Sequence, residues 1–127
     1  MLTQTDFEPI IAAVPSFQTK WFQWRERGEL YGPPSVDFSR YMTEHLIERA
    51  AVDDFTDFSL LFEALEAPLS NPTTELYDSL TMGFLEDLVH ACERAGVSLP
   101  RVRECIAGGR AQSEWDAAYN YIHAGDA

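Results

Sequence analysis

At 127 residues, with 46% hydrophobic and 13% aromatic content, the chain can build one ordinary core, and disorder is excluded despite a net charge of −12. No run approaches the ~18 continuous apolar residues of a membrane helix, and the first residues carry Asp6 and Glu8 with no basic leader. The expectation is a cytoplasmic protein with no membrane partner and, because an acidic surface repels phosphates, no nucleic-acid partner.

Phe7, Ile10, Ile11 and Val14 recur at helical spacing and predict a short first helix that Pro15 closes. Ser16 is then placed to cap a second helix, in which Phe17, Trp21 and Trp24 share one face and Gly28 ends the run. Phe22 falls off that face, so either the helix is buried on two sides or Phe22 is exposed beside the loop from Leu30 to Ser35. Two prolines and a glycine make that loop the clearest break in the chain.

A third helix is expected from about Asp37 to Val52, with Phe38, Tyr41, Met42 and Leu46 inward and Arg40, Glu44 and Glu48 outward. Asp53 and Asp54 interrupt the pattern and cap a fourth helix through Ala67, whose buried stripe is Phe58, Leu61, Phe62 and Leu65. Asn71 and Pro72 read as the cap and first position of a fifth, longest helix, about 73–95. Its apolar arc runs through Tyr77, Leu80, Phe84, Leu88, Ala91 and Cys92, widened by Leu85 and Val89, which marks the central helix of a bundle. Gly83 interrupts it at a cost of roughly 1 kcal/mol against alanine, for which close packing of a neighbouring helix is the expected reason.

Ser98 and Pro100 open a short sixth helix that Gly108-Gly109 stops, and Ser113 is read as the cap of the last, which carries Trp115, Ala118, Tyr119 and Ile122. No segment alternates like a strand and no repeat occurs. The expectation is all-α: residues 1–127 as one domain of about six or seven helices around a long central one.

Catalytic signals are weak. Glu86 and His90 stand one helical turn apart, as in di-iron and zinc sites, but no second such pair supplies the remaining ligands. His45 falls among inward positions near Arg49, which fits a core histidine bonded to a carboxylate and leaves a catalytic base as the other reading. His123 is expected to face solvent. There is no nucleophile elbow, Gly108-Gly109-Arg110 is too little for a phosphate loop, and Cys92 and Cys105 read as buried reduced thiols. No cofactor and no enzymatic activity are expected.

Charge is the stronger signal. Residues 44–93 hold twelve acids against Arg49 alone among Lys and Arg, so this segment carries −11 and the flanks together −1. Such one-sided charge costs stability by self-repulsion and is understandable if it steers a basic partner. Asp53, Asp54, Asp57, Glu63 and Glu66 are its densest acids and the candidate partner-binding residues. Self-association through an apolar helix face, as in a structural adaptor, is the alternative; a metal-dependent enzyme using Glu86 and His90 is a third.

Several motifs run together in order: Val14-Pro15-Ser16-Phe17 with Trp21, Gly28-Glu29-Leu30-Tyr31-Gly32-Pro33, Asp37-Phe38-Ser39-Arg40-Tyr41, Phe62-Glu63-Ala64-Leu65-Glu66, Met82-Gly83-Phe84-Leu85-Glu86-Asp87-Leu88, and Ser113-Glu114-Trp115. From Val14 to Tyr119 the chain resembles an uncharacterised family of small helical bacterial proteins, catalogued as a domain of unknown function. Its members look like single-domain immunity proteins found beside secreted toxins. The resemblance implies a helical fold, a bacterial cytosolic setting and no catalytic residues, and with the charge it favours an immunity-type protein that binds and occludes a basic toxin or enzyme.

Overall fold

The computed structural model describes residues 1–125, which contain helices and no strand. Seven helices follow one another: α1 (Gln4–Ala12), α2 (Pro15–Glu26), α3 (Pro34–Ala51), α4 (Thr56–Leu69), α5 (75–95), α6 (Leu99–Glu104) and α7 (Gly109–Ile122). The all-α bundle around a long fifth helix is thus as expected. On one side α5 packs against α3, on the other against α7; α4 lies along α7, and α1 closes over α2, α3 and α4.

The apolar stripes are what bring these helices together. Phe7 of α1 stacks on Phe38 of α3 at 4.8 Å, and Phe38 meets Phe84 of α5 at 5.1 Å. A second aromatic run joins Phe58 and Phe62 of α4 to Trp115 of α7, with Phe62 and Trp115 edge to face at 5.6 Å. All of these rings are buried, and each contributes about 1.5–3 kcal/mol by leaving water. Trp21 is buried too, although its indole N–H has no acceptor among the described residues.

Helix ends depart from the sequence reading in instructive ways. Pro15 does not merely stop α1: it opens α2 at the first helical position, so Ser16 lies inside the first turn and does not cap it. Its hydroxyl is free to bond elsewhere. Similarly, α3 starts at Pro34, three residues before the expected position, and buried Asp37 accepts from the Gly32 N–H at 3.1 Å, tying down the preceding loop. Pro68 falls within the last turn of α4, and α5 begins at Glu75 with Thr74 as its cap, the Thr74 hydroxyl accepting from the Tyr77 N–H at 3.1 Å.

The long helix is not uniformly α. Ser79–Leu85 is wound as a π-helix between two α-helical stretches. Thr81 contributes locally, its hydroxyl donating to the Tyr77 carbonyl at 3.0 Å. A Cβ built on Gly83 would meet nothing within 4 Å, so the expected close approach of a neighbouring helix does not occur there. Gly83 sits instead inside the widened π turn, where the backbone already departs from α geometry.

The final helix starts at Gly109, four residues before Ser113. Gly108 and Gly109 both take positive φ, 109° and 70°, which lets the chain turn sharply from α6 into α7. They form the interhelical turn expected of them. No helix among the described residues is long and apolar enough to cross a membrane.

Candidate functional site

The densest acids of the chain sit where α3 hands over to α4. Helix α3 runs out at Ala51, and Asp53 then takes φ 60°, a left-handed conformation that Asp tolerates better than most residues. Asp54 follows and closes the turn at both ends: one carboxylate oxygen accepts from the Thr56 N–H at 3.0 Å, the other from Arg49 Nη2 at 2.9 Å. The Arg49 guanidinium, helped by the Thr56 N–H, holds the Asp54 carboxyl at about 2. Asp53 points outward to Arg101, whose guanidinium lies over the Phe55 ring at 3.9 Å.

Asp57, in the first turn of α4, points inward. Its Oδ2 lies 2.7 Å from His45 Nε2 and 2.7 Å from Ser16 Oγ, and its side chain is only 13% exposed. His45 is 2% exposed, and its other ring nitrogen, Nδ1, faces Lys20 Nζ at 2.9 Å. Lys20 also lies 3.4 Å from Glu48. Donor arithmetic fixes the histidine: an ammonium can only donate, so Nδ1 accepts and Nε2 carries the hydrogen that goes to Asp57. The ring is neutral. Burial pushes His45 below its ordinary value; Lys20 adds to the fall, and Asp57 and Glu48 oppose it.

Serine, histidine and aspartate in contact suggest a nucleophilic triad, but the geometry is wrong for one. In a relay the carboxylate holds one ring nitrogen and the serine the other. Here Asp57 and Ser16 crowd the same nitrogen, Nε2, and the Ser16 hydroxyl, 3.2 Å from it, donates to Asp57. Nε2 bears a proton and cannot act as base toward that hydroxyl. The cluster binds α2, α3 and α4 to one another, so the core histidine bonded to a carboxylate is the reading that fits. Arg49, expected beside it, is engaged with Asp54 instead.

The other two candidate acids lie further along α4. Glu66 accepts the Arg110 N–H at 2.6 Å and the Ala111 N–H at 3.0 Å, and these backbone donors hold its carboxyl below the usual range. A Cβ on Gly109 would collide with its Oε1, so a side chain there would displace the carboxylate from this position. The glycine turn does cradle an anion, and that anion is the protein's own Glu66. Glu63 is exposed and makes no hydrogen bond or ion pair among the described residues.

The five acids therefore do not form one face of free carboxylates. Asp53, Asp54 and Asp57 gather at the α3–α4 corner, Glu63 and Glu66 lie away from it, and four of the five have partners inside the fold. Charges segregated along the sequence also meet in space: the bases of the flanks, Lys20 and Arg101, reach Glu48 and Asp53 of the acidic segment.

A groove of about 630 Å³ runs between α3 and α5, with Ile47 and Ala91 among its apolar lining residues and Arg40, Glu44, His90 and Arg94 among the charged ones. His90 lines it without Glu86, and among the described residues no three His, Cys, Asp or Glu side chains converge as metal ligands. His123, expected in solvent, is instead held 2.8 Å from Glu93 and lies tilted against the Tyr119 ring, 4.5 Å away. Phe22 is half-buried under the Arg25 guanidinium, 4.6 Å away, so neither full exposure nor a second buried face describes it. The residues that sequence reasoning passed over are Ser16 as a bonding partner and Lys20. Their four-residue spacing on α2 was the available signal, but both bond to residues on other helices. Comparison with protein-family models, curated proteins and solved structures finds no match.

Proposed function

We propose that this chain is an acidic protein-binding module that occludes a basic partner, in the manner of an immunity protein bound to its toxin. The observation that carries the reading is the excess of acid, −12 over 127 residues, with exposed carboxylates at the α3–α4 corner and beyond it. The motif resemblance from Val14 to Tyr119 supports the same class.

On this reading the five candidate acids have different parts. Asp53 pairs with the partly exposed Arg101, and Asp54 with the partly exposed Arg49 besides the Thr56 N–H. Exposed pairs of this kind are worth about 0–1 kcal/mol, so a partner's Lys or Arg can replace Arg101 or Arg49 at little cost. Glu63 has no pair among the described residues to give up. Asp57 and Glu66 are committed to His45 and to the start of α7, and they support the surface from behind.

The test begins with capture of the partner from the native host and then measures association by stopped flow. Replacing Asp53, Asp54 and Glu63 together with Lys should slow association by tenfold or more at low salt and flatten its salt dependence. An unchanged rate with unchanged salt dependence rejects the placement of the surface. Capture only of a second copy of the chain, seen as concentration-dependent sedimentation, rejects the inhibitor reading in favour of an adaptor.

A further inference from the structure

We infer that His45 and Lys20 form a proton-operated latch: a proton on His45 and the seating of Lys20 against it exclude each other, so acidification releases Lys20 from the junction of α2, α3 and α4. The latch belongs to the free protein and does not depend on any partner.

The argument rests on which atoms face which. Lys20 Nζ stands 2.9 Å from His45 Nδ1 and needs a lone pair there. The opposite ring nitrogen is already occupied, since Nε2–H donates to Asp57 at 2.7 Å. A further proton can therefore enter only at Nδ1, where it would point an N–H at an ammonium and set two positive charges at hydrogen-bond distance. The histidine is walled in, with the Phe17 ring edge-on at 5.4 Å and Ser16 beside Asp57, so it has nowhere to turn. Lys20 does: its side chain is 37% exposed, and Glu48 already lies 3.4 Å away as an alternative partner.

The charged groups facing His45 are Lys20 from α2, Asp57 from α4, and Glu48 one turn along α3. Asp57 and Glu48 favour the imidazolium. Burial and Lys20 oppose it, and of these only Lys20 can leave. Protonation from solvent thus proceeds with Lys20 keeping its own proton and swinging to Glu48 or water. The device would respond below about pH 6.5, the ordinary histidine midpoint, because burial and Lys20 hold His45 beneath it.

NMR titration of the intact protein tests this, with the His45 ring assigned through His45→Gln. The wild-type His45 should titrate below the ordinary histidine range, and the Lys20 ε-methylene resonances should shift with the same midpoint. Lys20→Met, at a partly exposed position, should raise the His45 midpoint toward the ordinary histidine value. Thermal melts give an independent readout. Because the unfolded chain takes up the proton first, wild-type stability should fall as pH drops below about 6.5, and Lys20→Met should flatten that fall. A His45 midpoint that is unchanged or lower in Lys20→Met, or Lys20 resonances without an inflection at that midpoint, overturns the latch. So does a His45 that titrates in neither protein above acid unfolding.

Discussion

Burial pushes the Cys92 thiol up to about 12, because a thiolate inside the core would have no water to solvate it. Cys105 is only half-buried, with its thiol near the Phe55 and Arg101 carbonyls. The two thiols should differ accordingly. Ellman's reagent is expected to find one reactive thiol per chain in native buffer and two in guanidinium; rapid reaction of both in the native protein would contradict the burial of Cys92. Ser16 shows how a single side chain changes meaning with context. Its residue type suits a helix cap, yet Pro15 occupies the first helical position, and the freed hydroxyl spans to Asp57 on α4. Nothing in the spacing of residues 14–17 distinguishes these outcomes, since the deciding partner lies 41 residues away.

At the scale of elements, α7 is a helix whose start is supplied by another helix. Gly108 has no side chain to offer the first amides, and Glu66 takes two of them with a negative charge placed where the helix dipole favours it. Glu66→Ala should therefore cost about 1–2 kcal/mol in urea unfolding, and Glu66→Gln, which keeps one acceptor oxygen, should cost less. Equal stability of Glu66→Ala and wild type would mean that water replaces the carboxylate without loss. The central helix was legible as a buried element because Leu80, Phe84, Leu85, Leu88, Val89 and Cys92 are all apolar and all buried. Its π-wound middle was not. A seven-residue change of winding leaves the inward positions apolar either way, so the pattern read as one continuous helix.

For the whole molecule the dominant electrostatic fact is the net charge of −12. Individual ion pairs such as Arg103–Asp116 are partly exposed and contribute little, whereas like-charge repulsion acts between all the carboxylates at once. Added salt should thus stabilise the fold: the melting temperature is expected to rise between ~10 and ~300 mM NaCl as the Debye length shrinks from about 30 Å to below 10 Å. A falling melting temperature would show that the pairs outweigh the repulsion. Sequence alone determined the helical class, the order of the helices, most of their inward positions (exposed Tyr119 is an exception) and the total charge, because these follow from periodicity, breakers and composition, all local or additive properties. Only the tertiary structure decided which of these acids are engaged inside the fold. Asp57 turns to His45, Glu66 to the amides of α7, and Asp53 to Arg101, in each case through contacts between helices that no spacing along the chain encodes.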